Sequence, residues 1–370
     1  MVYRLICFII FLMLVGCAQT DLSLQNKLIQ QVHNNALQHG IPSQAVLVSN
    51  NGNIKFNYAL DTSQQKEDIK LNEHSMFPIF SVSKLFTNVL VYQLVEKQQI
   101  KLSDRIGEYV KLPSHWQHIP INALMNHTSG LPEYFVMSNQ EVVAPSNQDA
   151  VIEKLGAQQP IFELNTQIQY TQTNYMLLKA LLESMTGQSY ESLVKTRIFS
   201  PLKMTNTAFH VDHLTKGVVR SYLSNGGDSL KPNGYVFPRY SIAHTGAYST
   251  AYDLNLFLSG LMEGKLINKT LLVDFWRPQK LKNGMTNYFA LGWNTDEVGH
   301  WSTAGHDGGT LVRVSVLYQE NKDDYMTYIY LTNGNLDGIW SRRLINSLQQ
   351  HALPDFYSRA VAWASYNVLK

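Results

Sequence analysis

The chain has 370 residues, 45% of them apolar, with 30 Lys plus Arg against 28 Asp plus Glu and a formal charge of +2. That length exceeds one average domain and suggests two lobes, or one domain with a large insertion, around an ordinary packed core. The near-neutral balance, with no basic stripe, argues against nucleic acid as a partner. No His-x-x-x-His, paired-cysteine or glycine-rich phosphate spacing occurs, so neither a metal nor a cofactor is expected.

Residues 1–16 read as a signal segment. Arg4 is the lone charge before the apolar run Leu5 to Val15, which is too short to span a bilayer as a mature helix. Leu14-Val15-Gly16-Cys17 resembles the bacterial lipoprotein signal, in which the cysteine is acylated and becomes the first residue. Ala18 then resembles sorting to the outer membrane if the organism is Gram-negative. An ordinary secretory signal is the alternative. With Cys7 removed and Cys17 acylated, no disulfide is expected.

Leu22 to His39 carries apolar residues at helical spacing and stops at Gly40. Two strands, Ala45 to Val48 and Ile54 to Ala59, flank the hairpin signal Asn51-Gly52. A helix follows Ser81 and ends near Gln98. The middle is mostly helical, with segments at Ile121 to Met125, Asn147 to Ala157, Asn174 to Met185, and Tyr190 to Phe199, the last ending before Pro201. Ala251 to Glu263 is another helix, with Ser249-Thr250 as caps. Strands return at Phe289 to Trp293, Leu311 to Tyr318 and Tyr325 to Leu331, then helices at Leu336 to Gln350 and Asp355 to Leu369. The pattern is α+β: one sheet sewn from both ends of the chain, residues 21–80 and 245–370, with a mainly helical lobe at 81–244 and a cleft between them.

The pattern Ser-x-x-Lys occurs four times, at Ser63/Lys66, Ser81/Lys84, Ser192/Lys195 and Ser200/Lys203. Only Ser81 stands between aromatic residues and an apolar helix, near a helix N-terminus that favours developing negative charge. Lys84 shares its helix face, and a lysine with a lowered pKa can take a serine proton.

Several stretches together resemble the class C β-lactamase and penicillin-binding-protein-like serine hydrolases. They are Phe80 to Thr87, Leu124-Met125-Asn126-His127-Thr128-Ser129-Gly130-Leu131-Pro132, Tyr170 to Leu178, Gly246 to Leu254, and Gly305-His306-Asp307-Gly308-Gly309. The resemblance implies a β-lactamase/transpeptidase-like fold, an antiparallel sheet flanked by helices plus an all-helical lobe, and acyl transfer through a covalent acyl-serine. It implies Ser81 as nucleophile, Lys84 as its base partner and Tyr170 as the phenol serving the leaving group. A phenolate beside a lysine ammonium costs less than one in isolation, so that phenol is expected to exchange protons near neutral pH. The backbone N–H groups of Ser81 and Gly309 would form the oxyanion hole, with Gln172, His306 and Gly308 contacting substrate. A second His-x-Gly, His244-Thr245-Gly246, ranks lower because it precedes a helix.

Three departures from the family pattern stand out. Gln172 replaces an asparagine, so a repositioned or weakened contact is expected. His306-Asp307-Gly308 replaces Lys-Thr-Gly, which exchanges a carboxylate-binding lysine for a mostly neutral histidine and adds an aspartate charge. Val312 or Arg313 stands where a glycine is usual. The expected substrate is therefore an ester, or an amide without a free carboxylate. The alternatives are a cell-wall D-alanyl-D-alanine carboxypeptidase or weak β-lactamase, and a non-catalytic, lipid-anchored penicillin-binding or sensor protein of the cell envelope.

Overall fold

The structure, a computed structural model, describes residues 22–63, 71–138, 141–212, 215–224, 226, 229–319 and 324–368. The signal segment and Cys17 lie outside the described residues, as do Lys66 and most of the turn expected at Glu320 to Asp324.

After helix α1 (residues 22–39), strands β1 (Ser43–Asn50) and β2 (Asn53–Asp61) form the expected hairpin. Its turn places Asn51 and Gly52 at φ of 48° and 76°, the positive values that two-residue hairpins require. The strands β3 (Phe289–Ala290), β4 (Trp293–Val298), β5 (Trp301–Gly308), β6 (Val312–Tyr318) and β7 (Tyr325–Thr332) complete one sheet in the order β3-β4-β5-β6-β7-β1-β2. Every neighbouring pair is antiparallel, and Gln44 near the chain's start lies opposite Thr332 near its end. The sheet is sewn from both ends, as its pattern implied.

Both faces of this sheet are covered, so its central strands read as continuous apolar runs rather than alternating ones. Val46 and Val48 point to the outer layer, where α1, α5 (Ser341–Ala352) and α6 (Phe356–Asn367) supply Leu28, Val32, Leu344, Ile345, Leu348 and Tyr366. Ala45 and Leu47 point the other way, into the larger core shared with α2 (Lys84–Glu96), α3 (Thr173–Thr186) and α4 (Ala251–Met262). Lys84 to Leu94 of α2 are all buried, which marks a helix enclosed on every side.

Three sequence expectations change. Phe289 to Trp293 is the corner between β3 and β4, with Leu291 and Gly292 at φ of 45° and 88° turning the chain. Strand β5 was not foreseen, because two glycines and a run of polar residues mask its period. Helical structure does not stop before Pro201: a π-turn over Lys195–Phe199 shifts the hydrogen-bond ladder, and proline falls in the first turn of the next helical segment, Ser200–Leu202.

Candidate active site

Phe77–Pro78 pairs with Ala247–Ser249, and Ile79 N–H donates to the Ala247 carbonyl at 3.0 Å. The chain then turns through Phe80 at φ 45°, a left-handed conformation that costs a bulky residue roughly 1–3 kcal/mol, into a 3-10 turn over Phe80–Ser83 and on into α2. Lys84, at the first position of α2, is fully buried. Its Nζ lies 3.2 Å from Ser81 Oγ, 2.6 Å from Gln172 Oε1 and 3.1 Å from the His244 carbonyl. Burial holds its pKa well below the ordinary lysine value, only partly offset by the Glu133 charge. The Gln172 and His244 oxygens only accept hydrogen bonds. A neutral amine gives them its two protons and turns its lone pair to Ser81, which suits a base.

The other Ser-x-x-Lys occurrences differ in the way that matters. Lys195 and Lys203 are exposed, without the enclosure that surrounds Lys84.

Tyr170 sits just before α3. Its phenol meets the Ser81 and Gln172 side chains, and its ring lies 4.9 Å from Lys84 Nζ. Burial of the phenol end raises its pKa, and those two hydrogen bonds only partly offset this. Burial thus favours the neutral form of both groups. A neutral phenol is a proton donor.

The segment from Leu124 to Pro132 holds this arrangement in place. The His127 ring stacks 4.4 Å from that of Tyr170, its Nδ1 accepts the Thr171 N–H at 3.2 Å, and its carbonyl accepts Gln169 N–H. Ser129 Oγ donates to Asn174 Oδ1 at 2.6 Å. Glu133, which sequence reading passed over, accepts the N–H groups of Gln172 at 2.9 Å and Tyr134 at 2.8 Å. Its only sequence signal is its place directly after Gly130-Leu131-Pro132.

Strand β5 forms the opposite wall. A Cβ on Gly308 would meet the Ile79 carbonyl oxygen at 2.5 Å, so its absence lets the strand close on the Ser81 turn. Gly309 follows at φ 61°. His306 is buried, its Nδ1 lies 2.8 Å from the Asp307 carbonyl, and its Nε2 has no partner among the described residues. Burial and the Lys84 charge lower its pKa to about 3, so it is neutral. Asp307 adds less charge than expected: Arg313 Nη1 lies 2.5 Å from one carboxylate oxygen and Ser341 Oγ 2.9 Å from the other. Arg313 thus has a partner that the usual glycine would not need.

His244-Thr245-Gly246 also reaches the site. It precedes the short strand Ala247–Ser249, not a helix directly, and supplies the carbonyl that accepts from Lys84. Gln172 keeps its contact with Lys84 despite the extra methylene.

Two cavities meet at Ser81 and Gly309. One, about 750 Å³, is lined by Tyr170, Tyr288, His306, Trp340, Asp296 and Arg342 among others. The other, about 250 Å³, runs past Gln172 and His244 toward Phe135 and Phe237. Among the described residues, no cluster of three His, Cys, Asp or Glu gathers as a metal site.

The family model described as Beta-lactamase matches residues 24–340. The chain belongs to the Beta-lactamase family. Its enzyme class is the serine hydrolase that the motifs implied. Penicillin-binding protein 4* of Bacillus subtilis (strain 168) is 29% identical to this Beta-lactamase family member over 82% of the chain and 71% of its own length. A teichoic acid D-alanine hydrolase of Staphylococcus aureus (strain MRSA252) is 29% identical over 66% of the chain and 61% of its own length. The fold is shared with the D-amino acid amidase from Ochrobactrum anthropi SV3, at a TM-score of 0.72 and 19% identity, covering 89% of this chain and 98% of that one. The D-stereospecific amidohydrolase from Streptomyces sp. has a TM-score of 0.69 at 18% identity, covering 90% and 99%.

Proposed function

We propose that this family member hydrolyses an ester, or an amide without a free carboxylate, by acylating Ser81. One observation carries the reading: Ser81 Oγ lies 3.2 Å from the buried Nζ of Lys84, whose pKa burial lowers. In the first step Lys84 takes the Ser81 proton as Oγ bonds to the carbonyl carbon. The carbonyl oxygen becomes an oxyanion facing the N–H groups of Ser81 and Gly309, donors that typically matter by ~10²–10³ in rate each. The bond to the leaving group then breaks as the Tyr170 phenol protonates it, and Tyr170 recovers a proton from the Lys84 ammonium. Water repeats the sequence on the acyl-serine and frees the acid.

The leaving group occupies the larger cavity in this reading, because Tyr170 lines that cavity and not the smaller one. Among its charged lining residues Asp296 pairs with Arg342, while Arg343 donates to the Tyr366 carbonyl and pairs with no carboxylate among the described residues. The substrate preference therefore rests on the neutral His306, which stands where the family pattern has a lysine. The names of the relatives, penicillin-binding and teichoic acid hydrolysing, support a place in the cell envelope. Anchoring through an acylated Cys17 completes this reading, and division into a sheet lobe (21–80 and 245–370) and a helical lobe (81–244) belongs to it too.

The test is covalent labelling with a fluorophosphonate and with a fluorescent penicillin, on wild type and Ser81→Ala. Labelling that depends on Ser81 is expected, with short-chain p-nitrophenyl esters turned over faster than nitrocefin. Faster nitrocefin hydrolysis favours the β-lactamase or carboxypeptidase alternative, and no adduct with either probe favours a non-catalytic sensor.

A further inference from the structure

The smaller cavity restricts what is transferred to Ser81. It receives the acyl half, because the proton donor to the leaving group faces the other cavity. Its apolar wall comes from Phe80, Phe135, Met137, Leu223, Phe237 and Leu311, on five separate stretches of chain. Phe135 and Phe237 meet edge to face at 5.7 Å, and the neutral His244 ring stacks parallel to Phe135 at 6.3 Å. None of the described lining residues is Asp, Glu, Lys or Arg. The nearby carboxylate, Glu133, does not line the cavity and is already held by the N–H groups of Gln172 and Tyr134. Gln172 gives its amide oxygen to Lys84 and hydrogen-bonds the Tyr170 phenol, so its polar atoms serve the site itself.

The remaining polar lining residues, Asn233, Tyr235, Thr245 and Thr310, are uncharged, so an α-ammonium on the acyl carbon would meet mostly apolar walls and no anion among the described lining residues, an arrangement that disfavours a charge. An alkyl or aryl chain gains from the same walls. The space is about 250 Å³. We propose that the acyl half of the substrate is an uncharged apolar group of that size and not an amino acid with a free ammonium. The inference rests on Ser81 being the acylated residue.

The experiment compares kcat/KM at pH 7 for the methyl esters of N-acetyl-D-phenylalanine and D-phenylalanine, which share a side chain and differ in the ammonium. Hexanoate and acetate esters are run beside them, with fluorophosphonate labelling of the same sample. The N-acetyl ester should be favoured at least ~10-fold, and hexanoate should exceed acetate by a similar factor. Phe237→Ala should lower the hexanoate-to-acetate ratio about fivefold, the scale of a few lost methylene contacts. Equal or faster turnover of the free-amine ester, in protein that labels at Ser81, overturns the acyl-group inference and leaves the hydrolase reading intact. So does an unchanged ratio in the Phe237 variant. Absent labelling overturns both.

Discussion

Asp307 and Arg313 stand opposite each other across β5 and β6, with the guanidinium Nη1 2.5 Å from the carboxylate. The pair accounts for two departures at once, since each residue would be an unpaired buried charge without the other. Burial pushes the Asp307 carboxyl up, but Arg313, helped by Arg342, pulls it further down, to below the usual carboxylate range. Stability from such a group is present above its unfolded value, ~3.9, and is lost as pH falls through the lower folded one.

Arg313→Ala should therefore destabilise the protein by about 3 kcal/mol, because it strands a carboxylate in the interior. Pairing Arg313→Met with Asp307→Thr should recover most of that loss. Urea unfolding at pH 7 measures both, and equal losses in the single and double variants would show that the pairing is not what matters.

Lys84 acts as a base only when neutral, so kcat/KM should rise with pH until it passes the amine's folded pKa, which lies well below the ordinary lysine value. The Glu133 charge raises that pKa. Glu133→Gln should then shift the rising limb to lower pH while leaving the limit at high pH within about threefold. A pH–rate profile of both proteins checks this, and a shift to higher pH would reverse the sign of the coupling.

Gly308→Ala sets a methyl group against the Ile79 carbonyl, 2.5 Å away, and forces β5 off the Ser81 turn. The expected loss in kcat/KM is about 10²-fold, the scale of one misplaced oxyanion donor. Circular dichroism should show the fold retained. Full activity would mean that the strand's closeness is not used.

Tyr170→Phe removes the proton donor but keeps the ring on His127, so turnover should fall about 10²–10⁴-fold with amide and ester alike. A leaving group that needs no proton, such as p-nitrophenolate, should suffer least. Comparing p-nitrophenyl and alkyl esters of one acid would reveal this, and equal losses would remove the phenol from leaving-group protonation.

Much of this was legible in the chain itself. The Asn51-Gly52 hairpin, the Thr250 cap whose side chain accepts from Asp253 N–H, and α3 ending on Gly187 at φ 67° rest on local chemistry that sequence reports directly. Ser81, Lys84, Tyr170 and His306 could be named as candidates because their motifs are local too. Glu133, the His244 carbonyl and the Arg313 partner were missed, because each acts through a contact made only in three dimensions. Strand β5 was missed because its polar and glycine residues serve the cleft and the close approach to Ile79, which dilutes the β pattern. The burial that lowers the Lys84 pKa and raises that of Tyr170 is likewise a product of the tertiary fold.

The pairing of Gln44 with Thr332 has a consequence for biosynthesis. At ~5–20 residues per second, β1 emerges from the ribosome on the order of 15–60 s before β7, its neighbour in the finished sheet. Throughout that interval β1 offers an unpaired, apolar edge, while the wall opposite Ser81 has not yet been made. The nascent polypeptide is thus both sticky and inert, and a holdase that covers β1 until the last strands arrive would improve its yield without touching the chemistry.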